Sequence, residues 1–250
     1  MRHQVLTALL LAAGAANAAS PSGFGLDVLV NGSPRPELAA RGTVYVEASR
    51  GRDYALRLSN PTGRRVAVAL SVDGLNTIDA KHTSSRDARK WVLAPYETVV
   101  IPGWQVNNAV SRKFVFTGER GSYGAALGKT EDLGIIEAVF FREKLPYRAE
   151  ARPDAAQAPA PRESVARDQS QKSSSLSDEY AATGMGNKTR FGVERIDIDL
   201  ENEPAAVVRL RYEFRPQLVA LGVLPSDPDS ARIARRERAR GFDEFCPEVR

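Results

Sequence analysis

Few residues in this chain are of types that do chemistry, and their spacing limits what they can do. Beyond the first twenty residues a single histidine remains, His82, in the run Ala80-Lys81-His82-Thr83-Ser84-Ser85-Arg86-Asp87. With Asp79, Ser84 and Ser85 it supplies the three residue types of a hydrolytic triad. Triad members converge from separate parts of a chain, and in one common form the nucleophile sits on a strained G-x-S-x-G turn. This cluster is too tight in sequence for that geometry and has no such turn, so His82 reads as a polar loop residue. One histidine and one cysteine, Cys246, fall short of the usual zinc sets. Asp73, Asn76 and Asp79 offer oxygen ligands in VDGLNTID, without the D-x-D-x-D-G spacing and later glutamate of a calcium loop. Asp73-Gly74 therefore reads as a turn, with Asn76 capping the backbone that follows. Gly184-Met185-Gly186-Asn187-Lys188-Thr189 lacks phosphate-loop spacing and reads as a glycine hinge. No catalytic residue, metal or cofactor is expected.

Large aromatics are the other candidates. Trp91 starts one apolar run and Trp104 ends another, with Tyr96 between them. Such side chains mostly plug cores, because burial gives them so much apolar contact. The alternative is an exposed platform for a sugar ring or a partner protein. The binding candidates are accordingly Asn76, Asp79, His82, Tyr96 and Trp104, with the loop from Asn76 to Arg89 and the exposed side of Trp104 foremost. A second group is the C-terminal run of Arg232, Arg235, Arg236, Arg238 and Arg240. It reads as a solvated basic helix, suited either to solubility or to contact with a polyanion or anionic headgroups.

The elements that must position these residues read as β-strands. Short apolar runs alternate with turn residues from Phe24 onward. YALRLSN places Tyr54, Leu56 and Leu58 on one face, and RRVAVALSV does the same with Val66, Val68, Leu70 and Val72; the two are expected to form a hairpin. LGIIEAVFF is apolar nearly throughout and should be a central strand covered on both sides. Further on, VERIDIDL (Ile196, Ile198, Leu200) and VVRLRYEF (Val208, Leu210, Tyr212, Phe214) read as a second hairpin, docked on the first domain, with PQLVALGVLP as a helical turn or two. The fold class expected is all-β: an antiparallel β-sandwich, immunoglobulin-like or jelly-roll-like, with a C-terminal β-hairpin and a short basic helix.

Composition divides the chain. MRHQ, an apolar run and Ala16-Asn17-Ala18 form a secretory signal peptide over 1–18, which implies a periplasmic or secreted protein. The sandwich domain is placed at 19–146, a flexible linker rich in Ala, Pro, Ser and charge at 147–183, the hairpin at 184–225 and the basic tail at 226–250. A formal net charge of +4 is too mild to argue for nucleic acid. A lone cysteine leaves no intramolecular disulfide, so stability must come from the packed core.

Five motifs occur in order: S-V-D-G-L-N-x-I-D (Ser71 to Asp79), P-Y-E-T-V-x-I-x-G-W (Pro95 to Trp104), F-x-F (Phe114 to Phe116), S-Y (Ser122, Tyr123) and G-I-I-x-A-V-F (Gly134 to Phe140). LRYEFR and ALGV follow near the end. This order resembles a family of bacterial exported β-sandwich proteins, over 43–142 and 184–223. The family has no assigned activity, so the resemblance implies no catalytic or binding residue. Ala80 stands where that pattern leads one to expect glycine.

The function expected is a non-enzymatic exported module that binds an envelope protein or polysaccharide through sandwich loops. It would not bind nucleic acid, and would meet a membrane only peripherally. Two alternatives stand beside it: a carbohydrate-active hydrolase using a carboxylate pair that the sequence does not single out, and a structural envelope protein that holds a polyanion through its arginine tail.

Overall fold

The computed structural model describes residues 23–144 and 176–225. The stretch read as a signal peptide, most of the stretch read as a linker, Cys246 and the five tail arginines lie outside the described residues.

Two seven-stranded sheets face each other. The first holds β1 (Gly25–Val30), β2 (Ser33–Pro34), β5 (Asp53–Ser59), β9 (Thr98–Ile101), β10 (Gly103–Asn107), β11 (Val110–Gly118) and β13 (Ala181–Arg190). The second holds β3 (Glu37–Ala40), β4 (Thr43–Ala48), β6 (Val66–Val72), β7 (Leu75–Asn76), β8 (Trp91–Leu93), β12 (Ile135–Arg142) and β14 (Ala206–Phe214). Two short helices, α1 (Tyr123–Ala126) and α2 (Arg215–Ala220), sit at strand ends. The fold is an all-β sandwich, as its alternating runs predict. Pairing is antiparallel except between β14 and β4, which run parallel.

One core fills the space between the sheets. Leu56 and Leu58 of β5 and Phe114 and Phe116 of β11 come from the first sheet. Val66, Val68 and Leu70 of β6, Ile136 and Phe140 of β12, and Leu210 and Tyr212 of β14 come from the second. The central strand β12 lies between β14 and β6, as expected. Its outer face is also covered: Val139 and Phe141 cluster with Ala69 beneath Ala88 and Leu200, and the Lys90 ammonium lies 5.2 Å from the Phe141 ring centroid.

Both expected hairpins are corrected. β5 and β6 do not pair; Asn60-Pro61-Thr62-Gly63 carries the chain from one sheet to the other, so their apolar faces meet across the core. Period-two alternation marks a buried face but does not name the neighbouring strand, and the same pattern suits a hairpin or a crossing. In the C-terminal segment, β13 pairs with β11 while β14 pairs with β12 and β4. VERIDIDL forms no strand beyond a bridge from Leu200 to Glu143, and Ile196 is exposed. Both edges of β14 are already taken, by β12 and β4, which leaves this run no ladder to join there. The glycine-rich run Gly184–Thr189 is not a hinge but the middle of β13, with an irregular register opposite Arg112 and Phe114. That strand starts at Ala181, inside the stretch read as linker. PQLVALGVLP does begin with a short helix, α2, whose Leu218 is buried.

Candidate functional site

The loop that follows β6 is built around Asn76. This side chain is 3 % exposed; its Oδ1 accepts the Ile78 amide at 2.8 Å and its Nδ2 donates to the Arg89 carbonyl at 2.8 Å. Both ends of the loop are thereby tied together. The capping expected of Asn76 is what the structure shows, and the residue also borders the cavity beside His82. Ala80 adopts φ +55° and its amide reaches the Asn76 carbonyl, so the turn forms with alanine in a glycine conformation. Asp79 accepts the Lys81 amide at 3.2 Å and pairs with Arg89 at 3.5 Å. Ser84 Oγ donates to Asp87 at 2.6 Å, which commits it away from His82.

His82 is exposed. Its Nδ1 lies 3.0 Å from the Gly74 carbonyl and 3.8 Å from Asp132 Oδ2. Beneath it is a cavity of about 130 Å³, bounded by Ser71, Lys81, Ser85, Asp132 and Glu137 over a floor that includes Ala69 and Val139. Glu137 is held there by Arg209. No group of three or more metal-ligating side chains occurs among the described residues.

Trp104 corrects an expectation: it is 2 % exposed and has no open side. It packs edge-on against Phe114 and Tyr123, and its Nε1 donates to the Gly184 carbonyl at 3.2 Å. The preceding Gly103 is obligatory, because a Cβ there would lie 1.9 Å from the Arg112 carbonyl oxygen on the paired strand. Trp91 is also buried and donates to Thr77 Oγ1 at 2.9 Å. Tyr96 is the opposite case, a ring held out in solvent. The structure thus groups Asn76, Asp79 and His82 in one loop, places Tyr96 on the turn between β8 and β9, and puts Trp104 in the core.

One cluster was missed in the sequence. Asp73, read as a turn residue, is 2 % exposed at φ +51°. Its Oδ1 accepts the Gly134 amide at 2.9 Å and the Tyr212 hydroxyl at 2.5 Å; its Oδ2 accepts the Thr183 amide at 2.7 Å. The chain of hydroxyls continues from Tyr212 to Thr183 Oγ1 at 2.6 Å and on to Tyr54 at 2.7 Å. Burial pushes the Asp73 carboxyl up to about 7, against the pull of those three donors. Burial, with Asp73 nearby, raises the Tyr54 and Tyr212 hydroxyls well above their usual range. The only signal available beforehand was Asp-Gly, which specifies a turn and says nothing about partners 110 or 139 residues away. Enclosed by core residues, this network joins elements of both sheets.

No family model, curated protein or solved structure matches the chain.

Proposed function

We propose that this protein is a non-enzymatic exported interaction module that binds an envelope protein or polymer through loops of the sandwich. One observation carries the reading. Side-chain hydrogen bonds from buried Asn76 and Asn60 fix surface loops in place, at Asn76–Arg89 and at the paired turns 60–64 and 94–97. Preorganised loops on a rigid scaffold lower the ordering cost of binding. The hydrolase alternative draws less support: a sugar-cleaving cleft wants two facing carboxylates with aromatic walls, whereas both tryptophans are core and Glu137 is held by Arg209.

The test is capture from envelope extract on immobilised chain 19–250, with retained protein and glycan both identified. A partner lost when residues 80–89 or the 94–97 turn are replaced supports the module. Retention no greater than on an unrelated β-sandwich, or turnover of an envelope polymer, would overturn it.

A further inference from the structure

Tyr96 is 74 % exposed, the most exposed large hydrophobic side chain among the described residues. It occupies the third position of the turn Ala94–Glu97, closed by the Glu97 amide on the Ala94 carbonyl, with Pro95 second and Tyr96 at φ +58°. Proline followed by a left-handed residue calls for glycine or asparagine at that third place, since a Cβ is strained there. The chain instead holds a tyrosine, and gains little burial from it. No described ring stacks on it.

The surroundings hold the backbone that carries this ring firmly. Buried Asn60 is the hub: its Nδ2 donates to the Ala94 and Arg64 carbonyls at 2.7 and 2.8 Å, and its Oδ1 accepts from Thr62. Its own amide reaches the Glu97 carbonyl, the Tyr96 amide reaches the Thr62 carbonyl, and the Glu97 carboxylate accepts the Ala94 amide at 2.6 Å. The ring edge rests against Gly63, where a Cβ would stand 3.1 Å from the hydroxyl oxygen. The result is a preorganised aromatic face at a position where stability alone would choose glycine. Strain of this kind, retained by an over-determined setting, points to use.

Charge selects among possible occupants. The 60–63 connection that lies beside this turn leads through Arg64 and Arg65 into β6, and their guanidinium groups are paired with Glu201 and Glu143. These pairs leave little net field for a polyanion. A proline-rich peptide would want a groove of several aromatics, and Tyr96 stands alone. The polar groups of the turn are spent on one another, so what it presents is a single flat π face, which suits the apolar C–H face of a neutral sugar ring. We infer that Tyr96 is the stacking platform of a carbohydrate subsite that takes a neutral pyranose residue of an envelope polysaccharide. This rests on the interaction-module reading and names its ligand class.

The probes are two neutral hexasaccharides, of β-1,4-linked glucose and of β-1,4-linked N-acetylglucosamine, titrated into ¹⁵N-labelled chain 19–250. Saturable shifts are expected at the amides of Thr62, Gly63, Tyr96 and Glu97 for at least one of them. Tyr96→Phe should keep the affinity within about threefold, and Tyr96→Gly should lose about tenfold or more. Tyr96→Gly should also melt at or above the wild-type temperature, so lost binding is not lost folding. Gly63→Ala should weaken binding by displacing the ring. The proposal is overturned if neither sugar binds at millimolar concentration, if Tyr96→Gly binds as wild type, or if the shifts map to 76–90. Capture of an envelope protein without sugar binding would overturn the sugar assignment alone and leave the module standing.

Discussion

At the scale of single residues, buried Asp73 ties three separate segments together through Gly134, Thr183 and Tyr212. Its carboxyl titrates near 7 in the fold against an ordinary value of 3.8, so the folded state holds the proton more tightly than the unfolded chain. Its contribution is then fully present below about pH 4 and is lost as the pH rises through 7. Glu37, raised to about 7 chiefly by burial and then by Asp27, acts in the same sense. The thermal midpoint should therefore fall between pH 5 and pH 8, and Asp73→Asn should flatten most of that slope, leaving the part due to Glu37. The variant should also cost about 1–3 kcal/mol at pH 5, since one amide group faces the Thr183 N–H with a donor. That cost should shrink towards pH 8. Parallel stability–pH curves for the two proteins would remove Asp73 from this role. The hydroxyl chain makes a second, graded prediction. Tyr212→Phe takes a donor from the carboxylate itself and should cost about 1–3 kcal/mol, whereas Tyr54→Phe takes only the far end and should cost about 0.5–1.5 kcal/mol by urea unfolding. The reverse order would mean that Tyr54, stacked on Phe116 at 4.1 Å, carries the network.

At the scale of elements, alternation read correctly wherever one strand face was at issue. Tyr54, Leu56 and Leu58 do face the core, as do the even-numbered residues of β6, and β12 is central because apolar residues occupy both its faces. What alternation did not carry was partnership. Pairing depends on which edge is free in three dimensions, so β13 and β14 went to different sheets although they neighbour each other in sequence. The same limit hid Asp73, whose partners sit on β12's leading turn, β13 and β14. Of the site candidates, Asn76 was legible as a cap because its bonds are local, and Tyr96 as a candidate because Pro-Tyr-Glu sits between strands. The burial of Trp104 was not legible, because it depends on Gly103 letting β10 close onto β11. From the placement of β13 and β14 comes a sharp expectation. A chain ending at Lys144 loses a strand from each sheet, exposes both the β11 and β12 edges, and leaves Asp73 without Thr183 and Tyr212. It should show no cooperative urea transition by circular dichroism; a sigmoidal transition like that of the full chain would mean that the C-terminal strands decorate a self-sufficient domain.

At the scale of the whole molecule, the question is whether two sheets unfold as one body. Three features tie them: a single core filled from both sides, crossings between the sheets at 60–63 and between β13 and β14, and the Asp73 network, which gathers Tyr54 and Thr183 of the first sheet with Tyr212 of the second. A domain tied in this way should unfold in a single step, because neither sheet keeps a buried face once the other is gone. The two tryptophans provide the measurement, for Trp104 lies on β10 in the first sheet and Trp91 on β8 in the second. In Trp91→Phe the fluorescence reports the first sheet alone, and in Trp104→Phe the second. Each substitution shifts stability, so the comparison is made within each variant, between its remaining tryptophan and its far-ultraviolet circular dichroism. The two probes should give one urea midpoint and one slope in each case. A gap of more than about 0.5 M urea in either variant would show one sheet opening ahead of the other. Asp73→Asn placed in both backgrounds then locates the coupling: if the hub joins the sheets, probes that coincide with aspartate present should separate once it is replaced.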